Sequence, residues 1–165
     1  MGTVTRVVLD TNVLVAAAYN PASASRWIVE ACLDGELTPV LSPALRREYE
    51  CILARAARGR PYLERIHRLV DGAEIVEPAQ TPRVVVDDPE DDKLVSAALA
   101  AGAILVTNDA HLLAIAGHEG LKVVRPADVR ALDVSLGYDI RPHRVTAAIP
   151  CREPVADSTA THPRR

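Results

Sequence analysis

Phenylalanine is absent from this chain, and one Trp and four Tyr are all its aromatics. A core without large rings must be filled by Val, Leu, Ile and Ala. That composition suits a buried parallel sheet of β-branched strands under Ala-rich helices. Long apolar runs are missing too, because every hydrophobic stretch is broken well short of the roughly 20 residues a membrane-spanning helix needs. No membrane role is therefore expected. The opening MGTVTRVVLD has neither the apolar stretch nor the cleavage site of a leader, and reads as a strand. Cysteine is scarce: Cys32, Cys51 and Cys151 are an odd, scattered set with no CxxC. That argues against a disulfide framework or a zinc site, and for reduced thiols in the cytoplasm. Nor does one sign of charge dominate. At a net charge of −3 there is no overall attraction to nucleic acid, and any such binding needs a local basic patch. A Walker A loop and a G-x-S-x-G nucleophile turn are both absent.

What is present is an alternation of strand and helix. The 165 residues suffice for one domain with a real core and hardly for two. RVVL (6–9), TPVLS (38–42), AEIVE (73–77), AILVTND (103–109) and LKVVRP (121–126) read as strands. Between them lie helical patterns at NVLVAAAY, SASRWIVEACLDG, ALRREYECILARAA, YLERIHRLVDG, residues 90–101 and AHLLAIAG, with PADVRAL as a final helix. Ser42 followed by Pro43 is a cap with Pro at the first helical position. Strands joined through helices pair in parallel with right-handed crossovers. The expected fold class is α/β: a doubly wound parallel sheet of about five strands over residues 1–132. From 133 to 165 several prolines interrupt any period, and this segment reads as a flexible tail, a solvated terminus in preference to one whose arginines touch RNA.

The most unusual segment is DDPEDDK, which places Asp87, Asp88, Glu90, Asp91 and Asp92 within seven positions, just ahead of the apolar LVSAAL. Like charges repel, so the crowding costs free energy unless water or a cation screens it. In an open parallel sheet, ligands sit beyond the carboxyl ends of the strands. Asp10 follows RVVL and Asp109 follows ILVTN, so both project to that edge. Glu48 lies one turn into the helix after TPVLS. Each acid also has a local explanation, as a helix cap, a dipole partner or an exposed helical residue. Taken together, they describe one acidic mouth. Carboxylate oxygens are hard ligands suited to Mg²⁺ or Mn²⁺. A cation so held acidifies water and neutralises charge on a phosphate, which points to phosphodiester hydrolysis without a Ser or Cys nucleophile.

Four blocks, RVVLDTNVLVAA, SPALRREYECIL, DPEDDKLVSAAL and ILVTNDAHLL, resemble in order and spacing those of PIN domains, over residues 5–132. The likeness is greatest to bacterial toxin components related to VapC ribonucleases. It implies a parallel sheet with helices on both faces and a Mg²⁺- or Mn²⁺-dependent endoribonuclease. It also implies a homodimer and silencing by an antitoxin, which would insert a cation such as Arg among the acids. Matched residue by residue, the family's acids fall on Asp10, Glu48, Asp92 and Asp109. Periodicity does not choose between Asp91 and Asp92; the resemblance favours Asp92 and leaves Asp91 and Asp88 as outer acids or caps. Glu50 is the alternative to Glu48, but points about 200° around the helix from it. Thr11, Asn12 and Asn108 can position water or phosphate, or serve the turns alone. His111 reads as a surface residue at a helix start.

An RNA substrate needs cations at the rim. LARAARGR offers Arg55, Arg58 and Arg60, with Arg46 and Arg47 upstream. No aromatic stacking platform is evident in the sequence. Two other phosphate-handling classes fit poorly. A haloacid-dehalogenase-type phosphatase wants an acid where Asn12 stands, and a receiver domain wants a phospho-acceptor Asp where the third strand supplies Glu77. The non-enzymatic alternative is a catalytically silent PIN-like module that only binds RNA or protein.

Overall fold

The computed structural model describes residues 4–56, 58–78, 86 and 88–135. Asp87, Cys151 and most of the irregular connection after the third strand lie outside the described residues. So does the expected tail beyond Ser135.

Five strands form one all-parallel sheet: β1 (Thr5–Leu9), β2 (Leu37–Leu41), β3 (Glu74–Ile75), β4 (Ile104–Val106) and β5 (Lys122–Val124), in the order β3-β2-β1-β4-β5. The helices are α1 (Thr11–Tyr19), α2 (Ala24–Leu33), α3 (Pro43–Ala56), α4 (Leu63–Gly72), α5 (Pro89–Ala101), α6 (Ala110–Ala114) and α7 (Val129–Ser135). The chain steps outward from β1 to β3, then returns to β4 on the other side of β1. With right-handed crossovers, that reversal puts α1–α4 on one face of the sheet and α5 and α6 on the other. The expected doubly wound class is the one found, with a short third strand: only Glu74 and Ile75 pair with β2, where AEIVE predicts five residues. As an edge strand with one neighbour, β3 has half the ladder to extend along.

The strands are short apolar runs, buried on both sides. Val7, Val8, Val40, Leu105 and Val106 are fully enclosed, together with Leu9 and Leu41. Val7–Leu9 lie in register with Ile104–Val106. Over them pack Val13, Leu14, Ala17, Ile28 and Val29 from α1 and α2, and Leu94, Val95, Ala97 and Ala98 from α5. Small alanines let α5 lie close to the sheet, and Gly102 ends the helix in the left-handed conformation at φ +60°. As the pattern of α3 requires, Leu45, Tyr49 and Leu53 face inward, while Ile52 is half-buried. The Ser42 hydroxyl caps this helix by accepting from Leu45 N–H at 3.2 Å. Cys32 is buried, its thiol pushed up to about 12 by desolvation; Cys51 is exposed, and neither is in a disulfide. No helix among the described residues is long and apolar enough to cross a membrane.

One buried polar contact ties helix to sheet at the functional edge. The Tyr49 hydroxyl, fully enclosed, donates to the Leu9 carbonyl at the end of β1. Burial first, then the negative charges of Asp10 and Glu48, hold the phenol far above its ordinary range, so it stays a donor. Tyr49→Phe is expected to cost about 1 kcal/mol, the net worth of one such bond. Urea denaturation reads this, and an unchanged midpoint and slope would remove the contact from the account of stability.

Candidate metal centre at the carboxyl edge of the sheet

The strand order reverses between β1 and β4, and ligands of open α/β sheets bind at such a switch point. Asp10 leaves β1 and Asp109 leaves the turn after β4, so the topology sets both at one crevice. Asp10 is only 7% exposed, and a buried carboxylate must be hydrogen-bonded from within. It accepts from Thr107 Oγ1 at 2.6 Å and from Asn12 N–H at 3.1 Å, while its own N–H donates to the Val106 carbonyl at 2.9 Å. The same Thr107 hydroxyl oxygen accepts from Asp109 N–H at 2.9 Å. Thr107, wholly buried, therefore links the two acids. Both acids are also caps: Asp10 for α1, and Asp109 for α6 through His111 N–H at 2.7 Å. Cap and site are the same residues, since a cap at a strand's carboxyl end already stands at the crevice.

The acidic segment supplies the third wall. Asp88 caps α5 by accepting from Glu90 N–H at 2.9 Å. Asp91, half-buried in the first turn, lines a groove of about 600 Å³ with Asp88, Asp109 and His111, closed on its apolar side by Val86 and Ile115. Its carboxyl is raised above the usual 3.8, first by burial, then by the charges of Asp109, Asp88 and Asp10, with His111 partly offsetting them. Of the two adjacent acids left open by periodicity, Asp91 thus shares the groove with Asp109. Asp92 stands about 100° further round the helix. There it accepts from Ser96 Oγ at 3.5 Å, and it does not line the groove.

Glu48 flanks the crevice from α3. Its Oε1 accepts from Thr11 Oγ1 at 3.4 Å, and its Oε2 from Lys93 Nζ at 3.0 Å. Lys93 also donates to Glu90 Oε2 at 2.7 Å, and the two acids hold its ammonium above the ordinary range. Glu50 points away, as expected, and pairs with Arg46, which also meets Asp71. Thr107 and Lys93 are not among the candidate site residues that the sequence singles out. The available signals were a hydroxyl residue directly after an apolar strand, and a cation immediately after five acids.

No three His, Cys, Asp or Glu side chains among the described residues stand close enough together to close a metal cage. The donor set nonetheless suits a hard cation of the Mg²⁺ type, which takes one or two carboxylates and completes its shell with water and substrate phosphate. Asp91 and Asp109 line one groove, the charge of Asp10 also acts on Asp91, and the mutual repulsion is of the kind a dication relieves.

A parallel sheet with acids at its switch point defines an α/β protein with an acidic crevice. The PIN domain family model matches residues 6–111, and the chain belongs to that family. It is 24% identical over 115 residues to the uncharacterized protein MJ1680 of Methanocaldococcus jannaschii, covering 67% of this chain and 74% of that one. Its fold matches the crystal structure of VapBC2 from Rickettsia felis bound to a DNA fragment from its promoter, with a TM-score of 0.52, 16% identity and coverage of 73% of this chain and 98% of that one. PAE2754 from Pyrobaculum aerophilum is similar at 21% identity and a TM-score of 0.49, over 81% and 97% of the two chains.

The raised Asp91 carboxyl makes a signed prediction. The folded chain holds that proton more tightly than the unfolded one, so the stability associated with it is lost as pH rises from 3.8 through the folded value. With chelator present, Asp91→Asn should therefore melt above the wild type at pH 7, and the gap should close below pH 3.8. A variant that melts lower than wild type at pH 7 and equally at both pH values would show that Asp91 is not under repulsion.

Proposed function

We propose that the protein is a Mg²⁺- or Mn²⁺-dependent endoribonuclease and the toxin of a toxin–antitoxin pair. The observation that carries this reading is geometric: Asp91 of α5 and Asp109 after β4 line one groove, and Thr107 ties Asp109 to the buried Asp10 at the end of β1. Membership of the PIN family supports the hydrolytic class. The fold likeness to the VapBC2 complex supports the antitoxin partner.

In this reading Asp10, Asp109 and an acid of the first turn of α5 hold the cation, with Glu48 beside them. Asp92 is the residue the family resemblance selects, and the groove lining favours Asp91. A bound dication would acidify a water molecule and neutralise charge developing on the phosphodiester. The chain's own groups do the rest. Thr107 and Asn12 N–H fix the Asp10 carboxylate in one orientation, so little reorganisation is needed when substrate arrives. Thr11 and Lys93 hold Glu48 at the flank, where it can orient water. His111, which lines the same groove as Asp91, offers a donor to a phosphate oxygen or leaving group. Asn108, exposed in the turn before Asp109, is free to contact the substrate backbone. An antitoxin that places an Arg among these carboxylates would compete with the cation for them. A homodimer is the expected assembly, and the cytoplasm the expected compartment.

The test is cleavage of structured and unstructured RNA with Mg²⁺, with Mn²⁺ and with chelator. Asp10→Asn, Asp91→Asn and Asp109→Asn should each lower the metal-dependent rate by about a hundredfold or more, the usual scale for removing one preorganised electrostatic group. Asp92→Asn should cost far less than Asp91→Asn; the reverse order would return the third ligand to Asp92. Rates equal to wild type in all four variants would overturn the assignment of the acids, and a wild type that cleaves nothing with either metal would leave a catalytically silent binding module.

A further inference from the structure

Helices α1 and α3 run side by side in the same direction, and two side-chain contacts show it. Thr11 Oγ1 meets Glu48 at the acidic end, and the Tyr19 hydroxyl donates to the Ala56 carbonyl at 2.6 Å at the far end. Both partners have moved on by the same eight residues. The seam between the helices therefore leads from the carboxylates to Tyr19 over about 12 Å, at 1.5 Å per residue.

At that far end the Arg60 guanidinium lies over the Tyr19 ring, 4.0 Å from its centre. The pair is on the surface, and Tyr19 is 49% exposed. By contrast, Tyr49 and Tyr62 are buried. The stack is held at both ends. The Tyr19 hydroxyl is bound to the last residue of α3, and the turn that follows is reversed at Gly59, whose φ of +75° a side chain would strain. Beyond the turn, the Tyr62 hydroxyl donates to Glu30 at 2.6 Å, Arg65 also binds Glu30, and Arg26 covers the Tyr62 ring. A preorganised ring and guanidinium are thus displayed at little further entropic cost.

The charge there is also unspent. Arg6, Arg46 and Arg65 each meet a carboxylate, but no described residue forms an ion pair with Arg55, Arg58 or Arg60, all exposed. Arg60 makes no hydrogen bond to a described residue either. A flat aromatic–guanidinium surface beside unpaired cations has the recognition chemistry of an unstacked base and its phosphates.

We infer that Tyr19 and Arg60 form a base-stacking subsite for single-stranded RNA, with Arg55 and Arg58 on the adjoining phosphates and the strand running along the α1–α3 seam to the acids. The stacking platform that the sequence alone does not reveal is assembled by the turn after α3. This assignment rests on the reading of RNA as substrate, and its test measures binding without cleavage. Fluorescence anisotropy of a labelled single-stranded RNA and of a labelled RNA duplex, both with chelator, is compared for the full-length wild type, Tyr19→Ala, Tyr19→Phe and Arg60→Lys. Tyr19→Ala should weaken single-strand binding roughly tenfold, the scale of one lost base stack. Tyr19→Phe, which keeps the ring, should stay within about twofold of wild type. Arg60→Lys keeps the charge and loses the plane, and should weaken the single strand severalfold. Duplex binding should be unchanged in all three variants, because its bases are already stacked.

Single-strand affinity unchanged in Tyr19→Ala and Arg60→Lys overturns the subsite and leaves the nuclease reading intact. Equal losses for single strand and duplex also overturn it, leaving phosphate contacts only. If Tyr19→Ala proves unfolded by circular dichroism, Arg60→Lys against wild type decides alone. A wild type that binds no RNA removes the subsite and the nuclease reading together. A wild type that binds single strands through Tyr19 but cleaves nothing with either metal removes the nuclease reading alone.

Discussion

A carboxylate buried at the end of a central strand has to be satisfied by the protein itself, because water is not there to do it. Asp10 meets that requirement with Thr107 Oγ1 and Asn12 N–H, and the rest of the crevice is organised by the same contacts. Thr107 belongs to the neighbouring strand's exit and holds Asp109 through its backbone. The two strand ends on either side of the switch point are thereby locked in relative position, at the point where an open α/β sheet parts to admit a ligand. Were the Thr107 hydroxyl absent, a buried acceptor would lose its shortest partner and Asp109 would lose a backbone anchor.

Against that locked pair the other acids occupy two different environments. Asp91 lines the groove with Asp109, no cationic side chain among the described residues is bonded to it, and burial first, then repulsion, raises its proton affinity. Glu48, on the opposite flank, is neutralised by Lys93 and steadied by Thr11. The acidic mouth is thus not a uniform ring of negative charge. One side is charge-crowded, and the other already has a cation supplied by the chain. Glu48 and the buried Tyr49 are consecutive residues about 100° apart on α3, so one helical turn serves the crevice with one side chain and the core with the next.

The strand-helix alternation was legible because it rests on local signals: β-branched runs, Ser42 with Pro43, Gly35, Gly72 and Gly102 at helix ends. Asp10 and Asp109 were legible as edge residues because a strand's carboxyl end has only one place to go in a parallel sheet. The choice between Asp91 and Asp92 was not. Both lie on stripes shared with apolar residues, and only the packing of α5 across β1, β2 and β4 turns Asp91 toward the crevice. Lys93 was hidden for a related reason, since its partner Glu48 is 45 residues away. The exposed stack of Tyr19 and Arg60 joins a helix end to a turn from a different part of the chain, and no period in either segment announces it.

The sequence by itself determined the class of fold, the crossover pattern and the edge at which the acids gather. Each follows from short-range steric and hydrophobic preferences repeated along the chain. Only the tertiary structure decided which neighbouring carboxylates face one another, which cation meets Glu48, and which tyrosine is shown to solvent. Those outcomes depend on how far each helix is rotated about its axis. That rotation is set by side chains packing from distant segments, and one residue's difference in it turns a side chain through about 100°.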